Sequence, residues 1–402
     1  MLKKDNFFKN YFINLSKYNK NLKKTKKVFS SFIVDLKNNQ IPLLKSYEKN
    51  YEFDFSATTV KKFSKYRNIV VIGMGGSILG TKSIYSFLKK RIKKEVFFFD
   101  NLDLNLSLKY KKIKNLKNSC FIIVSKSGDT LETITNLGAI FSENLLKNKL
   151  IIITEITDNA LMAIANKYHA EIIEHKEFIG GRYSVLSETG MFPAALMGLN
   201  LMKFKNLKRL INNKNFISSL IQNVASIYTL NSKKINNSVI LNYDSNLNNL
   251  GYWYQQLVAE SLGKKGKGIN PILSFGPKDH HSLLQLYLDG PKDKFFTFFN
   301  SSKRENKLKV ARGIIPNNMG FLINKNLEFI INAQCNATKN IFKLKKIPFR
   351  QITFNKKNED ELGEIFTFFV LETILLSRLM NINPFDQPAV EQVKIETKRF
   401  LR

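Results

Sequence analysis

The sequence predicts an α/β protein built as two doubly wound, mainly parallel-sheet lobes, with a helical N-terminal lead-in and a C-terminal helix. Two observations carry that prediction. Short β-branched or aromatic runs alternate with segments of helical character, the pattern of strands covered on both faces of a parallel sheet. The runs also fall into two series, separated by an Asn/Lys-rich stretch around 203–236.

Taken in order, residues 1–65 are Lys-rich and read as helical. The first strand series is "NIVVIG" (68–73), "EVFFFD" (95–100), "SCFIIVS" (119–125) and "KLIIIT" (149–154). The second is "SVILNY" (238–243), "KFFTFF" (294–299) and "FRQITF" (349–354), with long amphipathic helices near 247–262, 320–342 and 358–380. A last helix is expected from about residue 387. The expected domains are 1–65, 66–205, 206–384 and 385–402. The common plan of the lobes hints at duplication, although no sequence repeat is evident.

The 402 residues are enough for two or three domains, and 44% hydrophobic content is ordinary for a globular chain. The charge is not ordinary: 64 Lys+Arg stand against 32 Asp+Glu, a formal net of +32. The lysines are scattered among asparagines, and the densest runs, "KKTKK" (23–27) and "KLKK" (343–346), are short. No arginine-rich or aromatic nucleic-acid signature accompanies them. A solvated basic surface is the expectation, one that would draw in a small phosphate dianion, with no nucleic-acid partner. Cys120 and Cys335 match no CxxC or zinc spacing, which fits two buried thiols in a reducing cytosol. The N-terminus lacks the apolar core of a signal peptide. "IFTFFVLETILLSRLM" (365–380) contains Glu372 and Arg378 and is too short to span a bilayer. The expectation is a soluble cytoplasmic chain with no membrane partner.

"VVIGMGGSILGTKS" (70–83) runs from a strand through a glycine turn into a helix, an arrangement that commonly holds a phosphate. Gly73 and Gly75 fit the first two positions of a dinucleotide fingerprint, but the third falls on Ile78. Asp100, at the end of a strand, resembles the acidic residue that would hold a ribose. A P-loop fails too, because Thr81 sits where Lys is required and Lys82 comes one residue late. Spacing decides which backbone N–H groups point inward, so each single-position failure counts.

A second strand end, "IIVSKSGDTLETITNL" (122–137), gathers Ser125, Ser127, Thr130 and Thr133 beside Lys126. Hydroxyls and free amides at a helix N-terminus suit a phosphate monoester, whose oxygens all accept hydrogen bonds. Each hydroxyl alone could be a helix cap. Together they point to a small phosphorylated metabolite.

Candidates for chemistry are few. His169 and His175 lie in unremarkable sequence, and His280 and His281 are adjacent, so at most one of that pair points into a site. Trp253, Gln256 and Glu260 are spaced to share one helix face. A carboxylate on a largely apolar segment suits a general base, although an exposed helix-end glutamate reads the same way. Arg182 follows two glycines in "IGGRYSVLSETG" (179–190) and suits a developing oxyanion, or else a plain turn. In "NPFDQPAVEQVKIETK" (383–398), Asp386 is a candidate N-cap with Pro388 in the first turn. Gln387 and Lys394 fall on one face there, and Lys394 could equally pair with Glu391.

These segments, in this order, resemble the glucose-6-phosphate isomerase family from about residue 68 to 394. "GMGGS", "SKSGDTLETITN", "GGRYS" and "FDQPAVEQVK" carry the likeness, supported by "HSLLQLYLDGP"; Ala389 stands where the family usually has glycine. The first two motifs alone indicate only a sugar-isomerase-type phosphate-binding domain. The resemblance implies that Ser125, Lys126, Ser127, Thr130 and Thr133 cradle the phosphate, while Gly76 and Ser77 line the sugar. It implies Glu260 as the base working through a cis-enediol(ate), and Arg182 as the group stabilising it. His281 and Lys394 would open the ring, and Gln256 and Gln387 would contact the sugar. It implies a homodimer with His281 supplied across the interface. Aldose–ketose interconversion needs a base, an electrophile and a ring-opening acid, so no cofactor and no metal are expected. The alternatives are a non-catalytic sugar-phosphate sensor on the same domains and an NAD-dependent dehydrogenase.

Overall fold

The computed structural model describes residues 3–6, 8, 15–113, 116–140, 149–302 and 308–402. Among the described residues ten strands form two five-stranded sheets: β1 (Lys3–Asn6), β2 (Asn68–Gly73), β3 (Glu95–Phe99), β4 (Ser119–Val124), β5 (Leu150–Thr154), β6 (Glu171–Glu174), β7 (Asn237–Asn242), β8 (Asn270–Phe275), β9 (Lys294–Ser301) and β10 (Phe349–Phe354). The first sheet has the order β3-β2-β4-β5-β6 and is parallel throughout. The second has the order β1-β10-β9-β7-β8 and is parallel except for β1, which runs antiparallel to β10.

Side-chain alternation along the strands divides the core. Ile69, Val71, Ile122, Val124, Ile151 and Ile153 of the first sheet join Ile240, Phe295, Phe299, Ile352 and Phe354 of the second in one apolar cluster. The Gly76–Leu88, Asn248–Leu262 and Glu359–Met380 helices contribute to that shared cluster. The opposite faces bury Val70, Ile72, Phe121, Ile123 and Ile152 in one separate cluster, and Val239, Leu241, Phe296 and Phe298 in another. Each sheet therefore needs apolar residues at consecutive strand positions, which is why its central strands are legible as unbroken runs.

Helix starts use the asparagines that made the composition unusual. The Asn159, Asn213, Asn326 and Asn358 side chains accept from backbone N–H groups of the helices they precede. Such caps satisfy donors that a helix cannot satisfy internally.

Four features depart from the sequence reading. The lead-in contains the Leu15–Lys37 and Ala57–Ser64 helices but also supplies β1 to the far sheet, while its residues 1–2, 7 and 9–14 lie outside the described set. Strands β6 and β8 were not anticipated. The helix expected at 320–342 begins only at Leu327 and runs to Leu344, after a 3-10 segment Asn317–Leu322. The last helix is Glu391–Phe400, preceded by a 3-10 turn Pro388–Val390. Among the described residues no helix is long and apolar enough to cross a membrane.

Lys205 is fully buried, and its Nζ donates to the Ser46 carbonyl at 2.8 Å. The ammonium also lies 4.3 Å and 4.1 Å from the Tyr51 and Phe53 ring centroids. It thereby ties the lead-in to the segment that follows the Glu188–Leu196 helix. Burial lowers its pKa to about 7, with Glu188 nearby opposing the shift. The folded protein then binds fewer protons than the unfolded chain above pH ~7, so this group's contribution to stability rises with pH until the unfolded lysine titrates near ~10.4. Against Lys205→Met, the wild-type melting temperature should gain roughly 2–5 °C between pH 6.5 and pH 9. Thermal melts of both proteins at the two pH values check this; a gap that stays constant contradicts it.

Candidate active site

In the first sheet the chain leaves β2 toward β3 on one side, while β4 lies on the other. Such a reversal opens a crevice at the strand C-termini. The 74–77 and 125–130 turns stand there, on adjacent strands paired through Gly73 and Val124. Gly75 has a φ of +51°, in the left-handed region. At Gly76 a Cβ would lie 2.2 Å from the Gly181 carbonyl carbon and 2.6 Å from the Arg182 nitrogen. The absence of a side chain at Gly76 lets the 181–182 backbone lie against the glycine turn, and that approach places Arg182.

Arg182 is 3% exposed and uses every N–H of its guanidinium. Nε donates to Ser261 Oγ at 2.9 Å. Nη1 donates to Glu260 Oε2 at 3.3 Å and to Gln387 Oε1 at 2.6 Å. Nη2 donates to the Pro384 carbonyl and, at 3.1 Å, to the Asp386 carbonyl. The buried Tyr183 hydroxyl braces the same group, lying 2.9 Å from Ser261 Oγ and donating to the Pro384 carbonyl at 3.0 Å. Burial pushes the Tyr183 pKa up, keeping it a neutral donor.

Glu260 lies in the last turn of the Asn248–Leu262 helix. Its Oε1 accepts from Gln256 Nε2 at 2.8 Å, and its side chain is 31% exposed. The sequence places this carboxylate on an apolar helix, but its immediate partners are polar. Trp253, on the same helix, is buried against Phe366 with ring centroids 4.7 Å apart. Glu260 and Gln256 instead form the edge of the crevice. Gln256 Oε1 is buried and has no hydrogen-bond partner among the described residues.

The Ser/Thr turn is compact. Ser125 Oγ and Thr130 Oγ1 are 2.8 Å apart, Ser127 is exposed, and Ser77 is half-buried at the neighbouring helix start. Thr133 is buried with its Oγ1 unpartnered among the described residues. Lys126 is drawn aside, donating to the Glu177 carbonyl at 2.6 Å with Glu155 at 3.4 Å.

The structure thus brings Gly76, Arg182, Gln256, Glu260 and Gln387 into one cluster, beside the Ser125–Thr130 pair. Two predicted residues are not brought in. His281 is exposed beyond β8, with no side-chain hydrogen bond among the described residues. Its neighbour His280 turns inward, 2.6 Å from the Tyr243 hydroxyl, and burial followed by the nearby His281 lowers its pKa. Lys394 bonds Glu391 within a helix whose residues 391–400 are all exposed, the surface pairing that its spacing also allowed. Asp386 is not an N-cap: it accepts from Lys264 and Asn383, while Gln387 occupies the cap position of the 3-10 turn. Tyr183, Ser261 and Lys264 escaped the sequence reading, since adjacency to Arg182 or Glu260 was their only signal.

The corresponding crevice of the second sheet, between β7 and β9, is filled from within. Asp244 is buried and receives Ser301 Oγ at 2.5 Å and Lys357 Nζ at 2.6 Å. Burial pushes its pKa up, but Lys357 and the hydrogen bonds outweigh this and hold it below the usual carboxylate range. A carboxylate at this crevice would repel a phosphate.

Comparison with known proteins finds relatives both in sequence and in fold. Residues 38–278 match the family model for phosphoglucose isomerase. The chain is 35% identical to the glucose-6-phosphate isomerase of Methanocaldococcus jannaschii, over 85% of this chain and 86% of that one. It is 31% identical to the Campylobacter jejuni glucose-6-phosphate isomerase, over 83% and 85% of the two chains. In fold it matches a hypothetical protein from Thermus thermophilus with a TM-score of 0.81 at 22% identity, covering both chains completely. It also matches the glucose-6-phosphate isomerase of Chlamydia trachomatis with a TM-score of 0.70 at 18% identity, covering 86% of this chain and 72% of that one. The chain belongs to the phosphoglucose isomerase family.

Proposed function

We propose that the chain catalyses the reversible isomerisation of glucose 6-phosphate and fructose 6-phosphate. The observation that carries the proposal is the half-open Glu260 carboxylate, held by Gln256 on one oxygen and facing the buried Arg182 guanidinium at 3.3 Å on the other. A base and a fixed cation at that separation suit removal of a proton beside a carbonyl whose oxygen gains negative charge.

In this reading Ser125, Lys126, Ser127, Thr130 and Thr133 hold the phosphate, with Gly76 and Ser77 along the sugar. His281 and Lys394 assist ring opening. Glu260 takes the proton from C2 of the open aldose and returns it to C1, the hydroxyl proton leaves O2 and one arrives at O1 by exchange with solvent, and Arg182 faces the enediolate oxygen between those steps. Every Arg182 N–H already has a partner, so an enediolate must displace one. Gln387 is the natural one to yield, because its amide is exposed and can rotate. A non-catalytic regulator would have no use for the Glu260–Arg182 pair, and no observation favours it.

A cytoplasmic homodimer belongs to the same proposal. The exposure of both His281 and the entire helix carrying Lys394 supports a site completed by a second copy. So do Val393, Ile395 and Phe400, which stand 69%, 64% and 85% exposed on that helix. The two free cysteines suit a reducing compartment. We place the domain limits at 66–205 and 206–384, which enclose β2–β6 and β7–β10, with 385–402 as the C-terminal extension and 1–65 as a lead-in that lends β1 to the second lobe.

Two experiments test the assignments. Glu260→Gln should lower kcat for fructose 6-phosphate conversion by at least ~10²-fold, with KM changed by less than about threefold. A variant of undiminished kcat places the base elsewhere. Mixing unfolded Glu260→Gln and His281→Ala chains and refolding them together should restore roughly a quarter of wild-type activity. Half of the dimers would be mixed, and each would carry one intact site of two. No restoration would mean that His281 does not act across an interface.

A further inference from the structure

The Asn248–Leu262 helix ends at Gly263 and the chain doubles back, pairing Lys264 with Lys267 in an antiparallel bridge. Both lysines then reach the segment that leaves the Glu359–Met380 helix. Lys267 Nζ donates to the Met380 carbonyl at 3.0 Å. Lys264 Nζ donates to the Asn383 carbonyl at 2.5 Å, the Asp386 carbonyl at 2.5 Å and Asp386 Oδ1 at 2.7 Å. An ammonium carries three N–H groups, so Lys264 is fully committed to this turn.

Besides these bonds the turn is held by Tyr183, whose hydroxyl donates to the Pro384 carbonyl at 3.0 Å and whose ring lies 5.9 Å from that of Phe385. Of residues 383–387 only Pro384 is buried, and none lies in a helix or strand. Internally it has the Phe385 N–H on Asn383 Oδ1 at 3.0 Å and Asn383 Nδ2 on Asp386 Oδ2 at 2.9 Å. The carbonyls of Asn383, Pro384 and Asp386 all point to cations, Lys264 or Arg182. Its path is therefore set by two positive charges more than by apolar packing. Lys264 follows Glu260 by four residues, so the segment that bears the carboxylate also anchors the turn that delivers Gln387 to Arg182. The Lys264 side chain is 12% exposed, a setting in which a donor that loses its acceptors is costly.

We propose that Lys264 is a positioning residue for the reaction, holding the 383–387 turn so that Gln387, and the helix bearing Lys394 beyond it, are presented to the Glu260–Arg182 centre. Its kinetic consequence rests on the isomerase reading; its structural consequence does not. Lys264 touches no reacting atom. It acts through the turn, so its loss should lower turnover more than binding, because the phosphate cradle lies on other strands. An arginine can replace the donors imperfectly, whereas methionine keeps the stem and removes them all.

The test compares wild type, Lys264→Met and Lys264→Arg by amide hydrogen exchange over 381–390, thermal melting, and kinetics with fructose 6-phosphate. In Lys264→Met, exchange over 381–390 should quicken by at least ~5-fold with the melting temperature within about 3 °C of wild type. Its kcat should fall by roughly 10–100-fold with KM within about threefold, and Lys264→Arg should recover much of the loss. Unchanged exchange overturns the proposal, as does faster exchange with kcat within about twofold of wild type. An arginine variant no better than methionine also overturns it, since the lysine would then be filling space in a way neither replacement reproduces. If the wild type does not isomerise the sugar, the isomerase reading fails, and the exchange data alone decide whether Lys264 holds the turn. Should Lys264→Met not fold, Asp386→Asn weakens the same clamp at an exposed position and is judged by the same criteria.

Discussion

The buried Arg182 guanidinium ties its own segment to two distant stretches of chain at once. Its five N–H groups go to Ser261 and Glu260 at the end of one helix and to Pro384, Asp386 and Gln387 in a turn more than a hundred residues later. The residue itself stands in the segment that follows the first sheet. A charge this deep is tolerated only because every donor is met and a carboxylate lies opposite. That demand for complete satisfaction fixes the 181–186 segment, the Glu260 helix and the 383–387 turn relative to one another. The geometry of the Glu260–Arg182 cluster is largely a by-product of satisfying one buried cation.

Glycine supplies the other half of the constraint. Arg182 can be buried where it is because the backbone at 181–182 rests directly on Gly76, where any side chain would collide with it. Gly76 also opens the helix that follows β2, beside the Ser/Thr turn that follows β4. The Ser/Thr turn and the Glu260–Arg182 pair are thus tied through a backbone contact at Gly76. The second sheet has the same crevice but fills it with Asp244, Ser301 and Lys357, so the two similar sheets serve different purposes. One carries the glycine and Ser/Thr turns, and the other carries the helix with Glu260.

What was legible in the sequence follows from what each element must bury. Strand β2 coincides with "NIVVIG", because neighbours on both sides and both faces bury its whole length, while β10 coincides with "FRQITF" although its buried Arg350 is polar and is paired with Glu372. The missed strands are edge strands. "KKDN" joins only β10, "EIIE" only β5, and "NPILSF" only β7 and begins beside a proline. At the site, the motifs named Arg182, Glu260, Gln256, Gln387 and the hydroxyl turn. Tyr183, Ser261 and Lys264 were invisible because their work depends on which carbonyls a distant turn presents. His281 and Lys394 lie apart from the cluster in one chain, and no spacing within that chain could have shown it.

In the proposed reaction Glu260 moves a proton between neighbouring carbons of the sugar while Arg182 steadies the oxygen. The most direct measurement is conversion of fructose 6-phosphate by the wild-type protein in deuterated water, with the product read by NMR. Glu260 is partly exposed, so the proton it carries can exchange with solvent before its return. The account predicts deuterium at C2 of the glucose 6-phosphate formed. Product that forms at full rate with no deuterium at that carbon means that the hydrogen never meets solvent, and contradicts its transfer by the partly exposed Glu260.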